Sequence, residues 1–148
     1  MPFEFKLIRQ VEFHETDMAG IMHFSNFFRL MEAAEHAFFR SIGYSIHTTQ
    51  IADPVGWPRV HTDCDFHRPL RFEDQVEIHL LVKERRPRSI AYHFKFRNLT
   101  ADPSAVIAHG NLVVACVRRD GETGAMKAVP IPDEIAARIE PAPAELFE

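Results

Sequence analysis

The sequence has little cysteine, no excess of positive charge and no long hydrophobic run. Its 148 residues include two cysteines, and the formal net charge is −4 at pH 7. An acidic balance disfavours general nucleic-acid binding, which needs a basic surface. No apolar run approaches the roughly 20 residues that span a bilayer, and the N-terminus lacks the basic-then-apolar pattern of a signal peptide. We therefore expect a cytoplasmic protein that contacts neither nucleic acid nor membrane.

The cysteines and histidines give no sign of a disulfide or a metal centre. Cys64 and Cys116 fall within predicted strands, where a cysteine usually acts as a small buried hydrophobe. Cytoplasmic proteins also keep their thiols reduced. The nine histidines are scattered along the chain, and none forms a helical His-Glu-x-x-His motif or a Cys/His knuckle. We expect free thiols and no metal.

The remaining composition predicts one globular domain over residues 1–148. The hydrophobic fraction of 46% and the charged fraction of 26% are ordinary for such a protein. Alternating apolar and polar residues predict a first strand over residues 3–13. After a linker with Pro54, Gly56 and Pro58, similar runs cover residues 60–67, 76–83, 90–97 and about 105–118.

A helical pattern lies between the first strand and the linker, at about residues 26–42. Its apolar residues occupy most of the circumference, so the helix should be mostly buried. Ser25 or Asn26 can cap its start, and Gly43 lies where a left-handed residue would end it. The expected polar stripe is narrow, with Glu35 at its edge, and contains Arg29, Glu32, His36 and Arg40.

The order of these elements predicts an α+β fold. One strand, one buried helix and an antiparallel meander are most simply combined as a sheet wrapped around the helix. A short helix at about residues 132–139 should follow the last strands.

The loop before the helix carries the strongest chemical signal. Asp17 precedes Gly20, and the apolar helix begins directly afterwards. This order puts a carboxylate beside the free N–H groups and partial positive charge of a helix N-terminus. A nucleophile or base next to an oxyanion donor can support acyl-transfer hydrolysis. An isolated loop aspartate more often serves a turn or a cap.

Three segments in order resemble hotdog-fold thioesterases of the 4-hydroxybenzoyl-CoA thioesterase superfamily. They are residues 16–21 with Asn26 and Phe27, residues 65–70 with Asp74, and residues 83–89. The resemblance implies an antiparallel sheet wrapped around one long central helix. It also implies hydrolysis of an acyl-CoA thioester to a carboxylic acid and free coenzyme A. The expected enzyme needs no cofactor, because coenzyme A is part of the substrate.

The resemblance also implies roles for particular residues. Asp17 would be the catalytic nucleophile or general base, a choice that stays open. The backbone N–H of Phe24 would polarise the thioester carbonyl, and Gly20 would permit close approach of the loop. Arg86 and Arg88 would hold the coenzyme A phosphates, usually across a subunit boundary.

Ser89, His23 and Asn26 complete the expected substrate- and coenzyme-A-binding set. Some subgroups have a histidine, and another a tyrosine, at the position of Phe24; here His23 comes one residue earlier. The tyrosine subgroup also has an arginine at the position of Pro87. We therefore expect fewer cationic contacts to the coenzyme A phosphates in this chain. The resemblance points to an aromatic acyl group, of hydroxybenzoyl or dihydroxynaphthoyl type.

A sheet edge and half-formed sites predict a homodimer or a homotetramer. Two other functions remain open: a non-catalytic acyl-CoA-binding module on the same fold, and an enoyl-CoA hydratase-like lyase. The lyase would need an Asp/His dyad, for which His23 is the candidate. Glu32 and Glu35 are the alternative bases to Asp17, although a polar stripe explains them more simply.

Overall fold

The computed structural model describes residues 2–48 and 50–148. The large sheet and its helix comprise β1 (Glu4–Gln10), α1 (Ser25–Ser41), β2 (Arg59–Phe66), β3 (Gln75–Arg85), β4 (Ser89–Asn98) and β5 (Ala105–Ala115). The last elements are β6 (Val117–Arg119), β7 (Met126–Ala128) and α2 (Asp133–Ala136), and 3-10 turns lie at Phe13–Glu15 and Ala144–Phe147.

Five strands form one antiparallel sheet in the order β1-β3-β4-β5-β2. Strands β3, β4 and β5 are neighbours both in the chain and in the sheet, so the predicted meander is confirmed for these three. Strand β2 does not join β3, as a complete meander would require; it pairs with β5 at the far edge. The predicted α+β architecture is therefore confirmed, but β2 lies at the edge of the sheet and not beside β3.

Helix α1 packs its apolar side against the inner face of this sheet. Phe27, Met31 and Phe38 are almost completely buried, and they meet a core formed by the inward residues of β3, β4 and β5. Gly110 lies beneath the helix: a Cβ atom there would lie 2.5 Å from Cε of Met31. The missing side chain thus allows a close approach of helix and sheet. The helix ends before Gly43, whose φ of +96° is the predicted left-handed conformation.

Several local predictions are wrong. Strand β1 ends at Gln10 because residues 13–15 form a 3-10 turn. Neither Ser25 nor Asn26 caps α1; the N-cap position is Phe24, which has no side-chain cap. Glu35 is not at the edge of a polar stripe but has no exposed surface.

Cys116 is buried between β5 and β6 rather than within a strand, whereas Cys64 lies in β2 and is half-buried. Burial raises the pKa of the Cys64 thiol to about 12 and that of the Cys116 thiol to about 11. Both groups are therefore thiols rather than thiolates at neutral pH, and poor nucleophiles. Within the described residues, no helix combines the length and hydrophobicity needed to cross a membrane.

Candidate active site

Asp17 is held in a tight turn. Its backbone N–H donates to the carbonyl of Ile21 at 2.9 Å, and the N–H of Gly20 donates to the carbonyl of Asp17 at 3.0 Å. Its Oδ1 accepts hydrogen bonds from the N–H groups of Ala19 at 2.9 Å and Ile21 at 3.5 Å. These contacts fix the carboxylate, while Oδ2 has no hydrogen-bond partner among residues 2–48 and 50–148.

Gly20 gives this turn its shape. Its φ of +80° lies in the left-handed region that side chains disfavour. A Cβ atom on Gly20 would meet nothing within 4 Å, so the glycine is required by the backbone rather than by a close neighbour. Gly20 lines a cleft of about 570 Å³ on one side of the turn, together with Phe13, Met18 and Phe72.

A backbone donor at the start of helix α1 is available. The N–H of Met22 donates to the carbonyl of Leu70 at 2.7 Å, and the N–H of His23 donates to the carbonyl of Glu15 at 2.9 Å. No acceptor within the described chain takes the next N–H, that of Phe24. Because a helix N-terminus carries partial positive charge, this donor suits a carbonyl oxygen that gains negative charge.

Asp17 and Phe24 line the same cleft, which has a volume of about 380 Å³. Its walls are mostly apolar, and Phe27 forms their rigid part. The Phe27 ring meets those of Phe66 and Phe96 edge to face, with centroids 4.9 and 5.2 Å apart. The other lining residues are Ile21, Met22, His67, Arg68 and Pro69. The volume suits a small organic ligand, since such sites usually measure roughly 300–1,000 Å³.

Asn26 ties the helix to the Asp17 loop. Its side-chain Nδ2 donates to the carbonyl of Glu15 at 2.8 Å, and its N–H donates to the carbonyl of His23 at 2.9 Å. The Nδ1 atom of His23 lies 2.8 Å from Oγ of Ser25. In the described chain no hydrogen bond joins this imidazole to Asp17. The structure therefore places Asn26 as a brace and assembles no Asp/His dyad.

Asp17, the helix-start residue Phe24 and a wall of aromatic rings thus line one cleft of this fold. Residues 11–139 match the Thioesterase-like superfamily. The chain belongs to this superfamily. The hotdog fold and the thioesterase class that the sequence predicts are confirmed.

Individual relatives agree with this assignment. A protein of Aquifex aeolicus (strain VF5), named as a candidate esterase, is 32% identical over 137 residues, which are 91% of this chain and 95% of the relative. A 1,4-dihydroxy-2-naphthoyl-CoA hydrolase of Prochlorococcus marinus (strain MIT 9313) is 31% identical over 98 residues, which are 62% of this chain and 65% of that hydrolase. The chain thus spans just under two thirds of the hydrolase it matches.

The fold is also that of a 4-hydroxybenzoyl-CoA thioesterase from Pseudomonas sp. strain CBS-3. The two structures superpose with a TM-score of 0.78 at 20% identity, over 92% of this chain and 99% of the other. At this level of identity the likeness concerns the fold alone.

In this chain Arg86 and Arg88 lie in the turn of residues 86–89, called the arginine turn below. This turn lies at the other end of the sheet from the cleft. The N–H of Arg86 donates to the carbonyl of Ser89 at 2.9 Å, which closes the turn between β3 and β4. Seven residue steps of about 3.3 Å along β4 put Ser89 roughly 23 Å from Phe96, whose ring packs against the cleft residue Phe27. One chain therefore does not bring the turn and the cleft together.

The two arginines of this turn differ in their surroundings. Nε of Arg86 lies 2.7 Å from the carboxylate of Glu84, which partly neutralises it. Arg88 is exposed, and its side chain has no ion pair among residues 2–48 and 50–148. Arg88 is thus the freer cation of the two.

The helix glutamates are remote from Asp17. Glu35 comes ten residues after Ser25, or about 15 Å along the helix. A guanidinium nitrogen of Arg59 lies 2.6 Å from the Glu35 carboxylate, and the same nitrogen lies 3.1 Å from that of Glu32. Burial raises the pKa of Glu35 to about 7, against the opposing effect of Arg59. The ion pair of Arg59 with Glu35 joins α1 to β2, and neither residue lines the Asp17 cleft.

Sequence reasoning missed one wall of that cleft. Phe66, His67 and Arg68 belong to residues 65–70, a segment that carries part of the family resemblance but for which the resemblance implies no site role. The available signal is the position of the segment: His67, Arg68 and Pro69 follow the end of β2, and side chains that contact ligands often lie in such loops.

Proposed function

We propose that this thioesterase hydrolyses an aromatic acyl-CoA thioester to the carboxylic acid and free coenzyme A. The observation that carries the proposal is the shared cleft. Asp17 lines it, and Oδ2 of Asp17 has no hydrogen-bond partner among the described residues. Phe24, whose N–H has no acceptor in that part of the chain, and a wall of phenylalanine rings line the same cleft.

In the proposed reaction the thioester carbonyl oxygen accepts the hydrogen bond of the Phe24 N–H. Asp17 then either attacks the carbonyl carbon or removes a proton from water as the water attacks. The carbon–sulfur bond breaks, and its electron pair leaves on the thiolate. If Asp17 attacks, water then hydrolyses the resulting mixed anhydride. A thiolate is a good leaving group, so the cleft needs no strong general acid.

The walls of the cleft support an aromatic acyl group. Phe24, Phe27 and Phe66 offer flat surfaces on which a ring can stack or pack edge to face. Two similar proteins, a dihydroxynaphthoyl-CoA hydrolase and a hydroxybenzoyl-CoA thioesterase, are named for aromatic acyl-CoA substrates, which supports the same class of substrate here.

A second copy of the chain would complete the site. The arginine turn lies roughly 23 Å along β4 from the cleft of its own chain, so we propose that Arg86 and Arg88 bind the coenzyme A phosphates for a neighbouring subunit. Edge strand β2 leaves Val60 61% exposed and Phe66 46% exposed, which favours at least a homodimer.

The decisive experiment measures thiol release from aliphatic, benzoyl and naphthoyl CoA esters. Turnover that prefers the aromatic esters supports the proposal. Binding of these esters without thiol release would overturn it in favour of a non-catalytic binding module. Light scattering of the same protein tests the subunit arrangement, and a monomer that turns over fully would contradict it.

A further inference from the structure

The cleft contains a cation that the reaction does not use. Arg68 lines it on the side of His67 and Pro69. The backbone here is fixed: the N–H groups of His67 and Arg68 both donate to the carbonyl of Ile107, at 2.9 and 3.1 Å. The side chain of Arg68 forms no hydrogen bond and no ion pair with any described residue. A firmly placed backbone thus carries a guanidinium with five free donors.

The position of this cation is unusual for the cleft as a whole. The other walls are mostly apolar, and the charge opposite in sign is that of Asp17, which does not bond to Arg68. An acyl group that carried an oxygen anion would be repelled by Asp17 and attracted by Arg68. An acyl group without such an oxygen gains nothing from the guanidinium, because Arg68 is exposed and keeps its water.

We propose that Arg68 is a specificity-determining residue that selects acyl groups bearing an acceptor oxygen on the ring, either a carboxylate or a hydroxyl. This inference rests on the proposed hydrolysis of aromatic acyl-CoA esters. The thioester carbonyl lies between Asp17 and the Phe24 N–H, and the ring packs on Phe27. The substituent of the ring accepts hydrogen bonds from Arg68. A carboxylate gains most, because its two oxygens match the planar guanidinium fork.

The experiment uses three CoA esters that share one ring: benzoyl-CoA, 4-hydroxybenzoyl-CoA and 4-carboxybenzoyl-CoA. We expect wild-type kcat/KM to be about tenfold or more higher for each oxygen-bearing ester than for benzoyl-CoA, the usual effect of a hydrogen bond to a charged group. Arg68→Met should abolish that preference by lowering kcat/KM for the two oxygen-bearing esters to about the value for benzoyl-CoA. Arg68→Lys should restore part of it, more for the carboxylate than for the hydroxyl.

Arg71→Met is the matched control, because Arg71 is also exposed, lies three residues further on and does not line the cleft. It should keep all three values of kcat/KM. Loss of the same factor on all three esters in Arg68→Met would overturn the inference, and so would an unchanged preference. Failure of the wild-type enzyme to release thiol from any aromatic ester would instead reject the proposed function itself.

Discussion

The guanidinium of Arg59 lies 2.6 Å from the carboxylate of Glu35, a side chain with no exposed surface. Arg59 begins the edge strand β2, and Glu35 lies in helix α1. The contact therefore fastens the edge strand to the central helix. We expect it to contribute to the stability of the protein and to the pH dependence of that stability.

Removing Arg59 should destabilise the fold strongly. Above pH 7, where Glu35 of the wild type is mostly ionised, Arg59→Met leaves a buried carboxylate without its counter-charge, and such changes cost about 3–5 kcal/mol. Urea denaturation measures the loss. The double variant Arg59→Met, Glu35→Met should recover much of it, since an apolar pair can replace a buried ion pair. Glu32→Gln, which removes the exposed partner, should change stability by less than about 1 kcal/mol. Equal losses in Arg59→Met and Glu32→Gln would contradict this account.

Glu35 should also produce a pH-dependent stability. Burial raises its pKa from 4.5 to about 7 in the folded protein. Between these values the folded state binds more protons than the unfolded state, so the free energy of unfolding falls as pH rises from 4.5 to 7. The difference between the two pKa values corresponds to a change of about 3 kcal/mol in the free energy of unfolding. The measurement is the difference between wild type and Glu35→Gln at several pH values. A difference that does not change with pH across this window would show that the prediction is wrong.

Asp17→Asn should remove most of the activity and leave the fold intact. Loss of a positioned base or nucleophile costs roughly two to four powers of ten in kcat. The melting temperature should stay close to that of wild type, because the isosteric amide can still accept the bonds from Ala19 and Ile21. Asp53→Asn, in an exposed loop, is the control. Turnover within a few-fold of wild type would show that Asp17 is not the base or nucleophile and that another carboxylate has this role.

Gly20 can be tested separately for backbone and contact effects. Asparagine tolerates the left-handed region and valine does not, while a Cβ atom meets nothing at this position. Gly20→Asn should therefore keep both stability and kcat. Gly20→Val should lose roughly 1–2 kcal/mol of stability and also kcat, because it distorts the turn that presents Asp17. Equal loss of activity in both variants would instead indicate that substrate approaches Gly20 closely.

The arginine turn should affect binding of the nucleotide more than chemistry. The double variant Arg86→Ala, Arg88→Ala should raise KM for CoA esters and leave kcat nearly unchanged, since these contacts are far from the reacting carbon. An acyl-pantetheine, which lacks the nucleotide, should not distinguish the variant from wild type. Glu84→Gln should lower KM, because it frees Arg86. Arg119→Ala is the control for lost surface charge. The same loss on both substrates would exclude a phosphate clamp.

The sequence predicts the helix and the meander well, because both depend on local periodicity. The apolar spacing from Phe27 to Phe38 repeats every three or four residues, and only a helix satisfies it. The turn around Gly20 is also local, so the placement of Asp17 before the helix could be derived directly.

Features that depend on distant partners could not be read in this way. Glu35 belongs to the polar residues of its helix by spacing, yet it is buried because Arg59, 24 residues later, reaches it. The edge position of β2 depends on its pairing with β5, about 50 residues away, which periodicity does not encode. Arg68 was overlooked for the same reason: its importance comes from the cleft that it shares with Asp17, and not from its own segment.

Gly110 lies where the sheet packs against the helix whose start lines the cleft. Met31 occupies the space above it, and that helix carries Phe24 at its first turn. A side chain at position 110 must push aside either the thioether of Met31 or the helix itself, since the surrounding core is closely packed. A change in the middle of the sheet can therefore alter the distance between the Phe24 N–H and Asp17. If Phe24 and Asp17 act as proposed, a substitution at Gly110 would therefore change the reaction rate from a position that does not line the cleft.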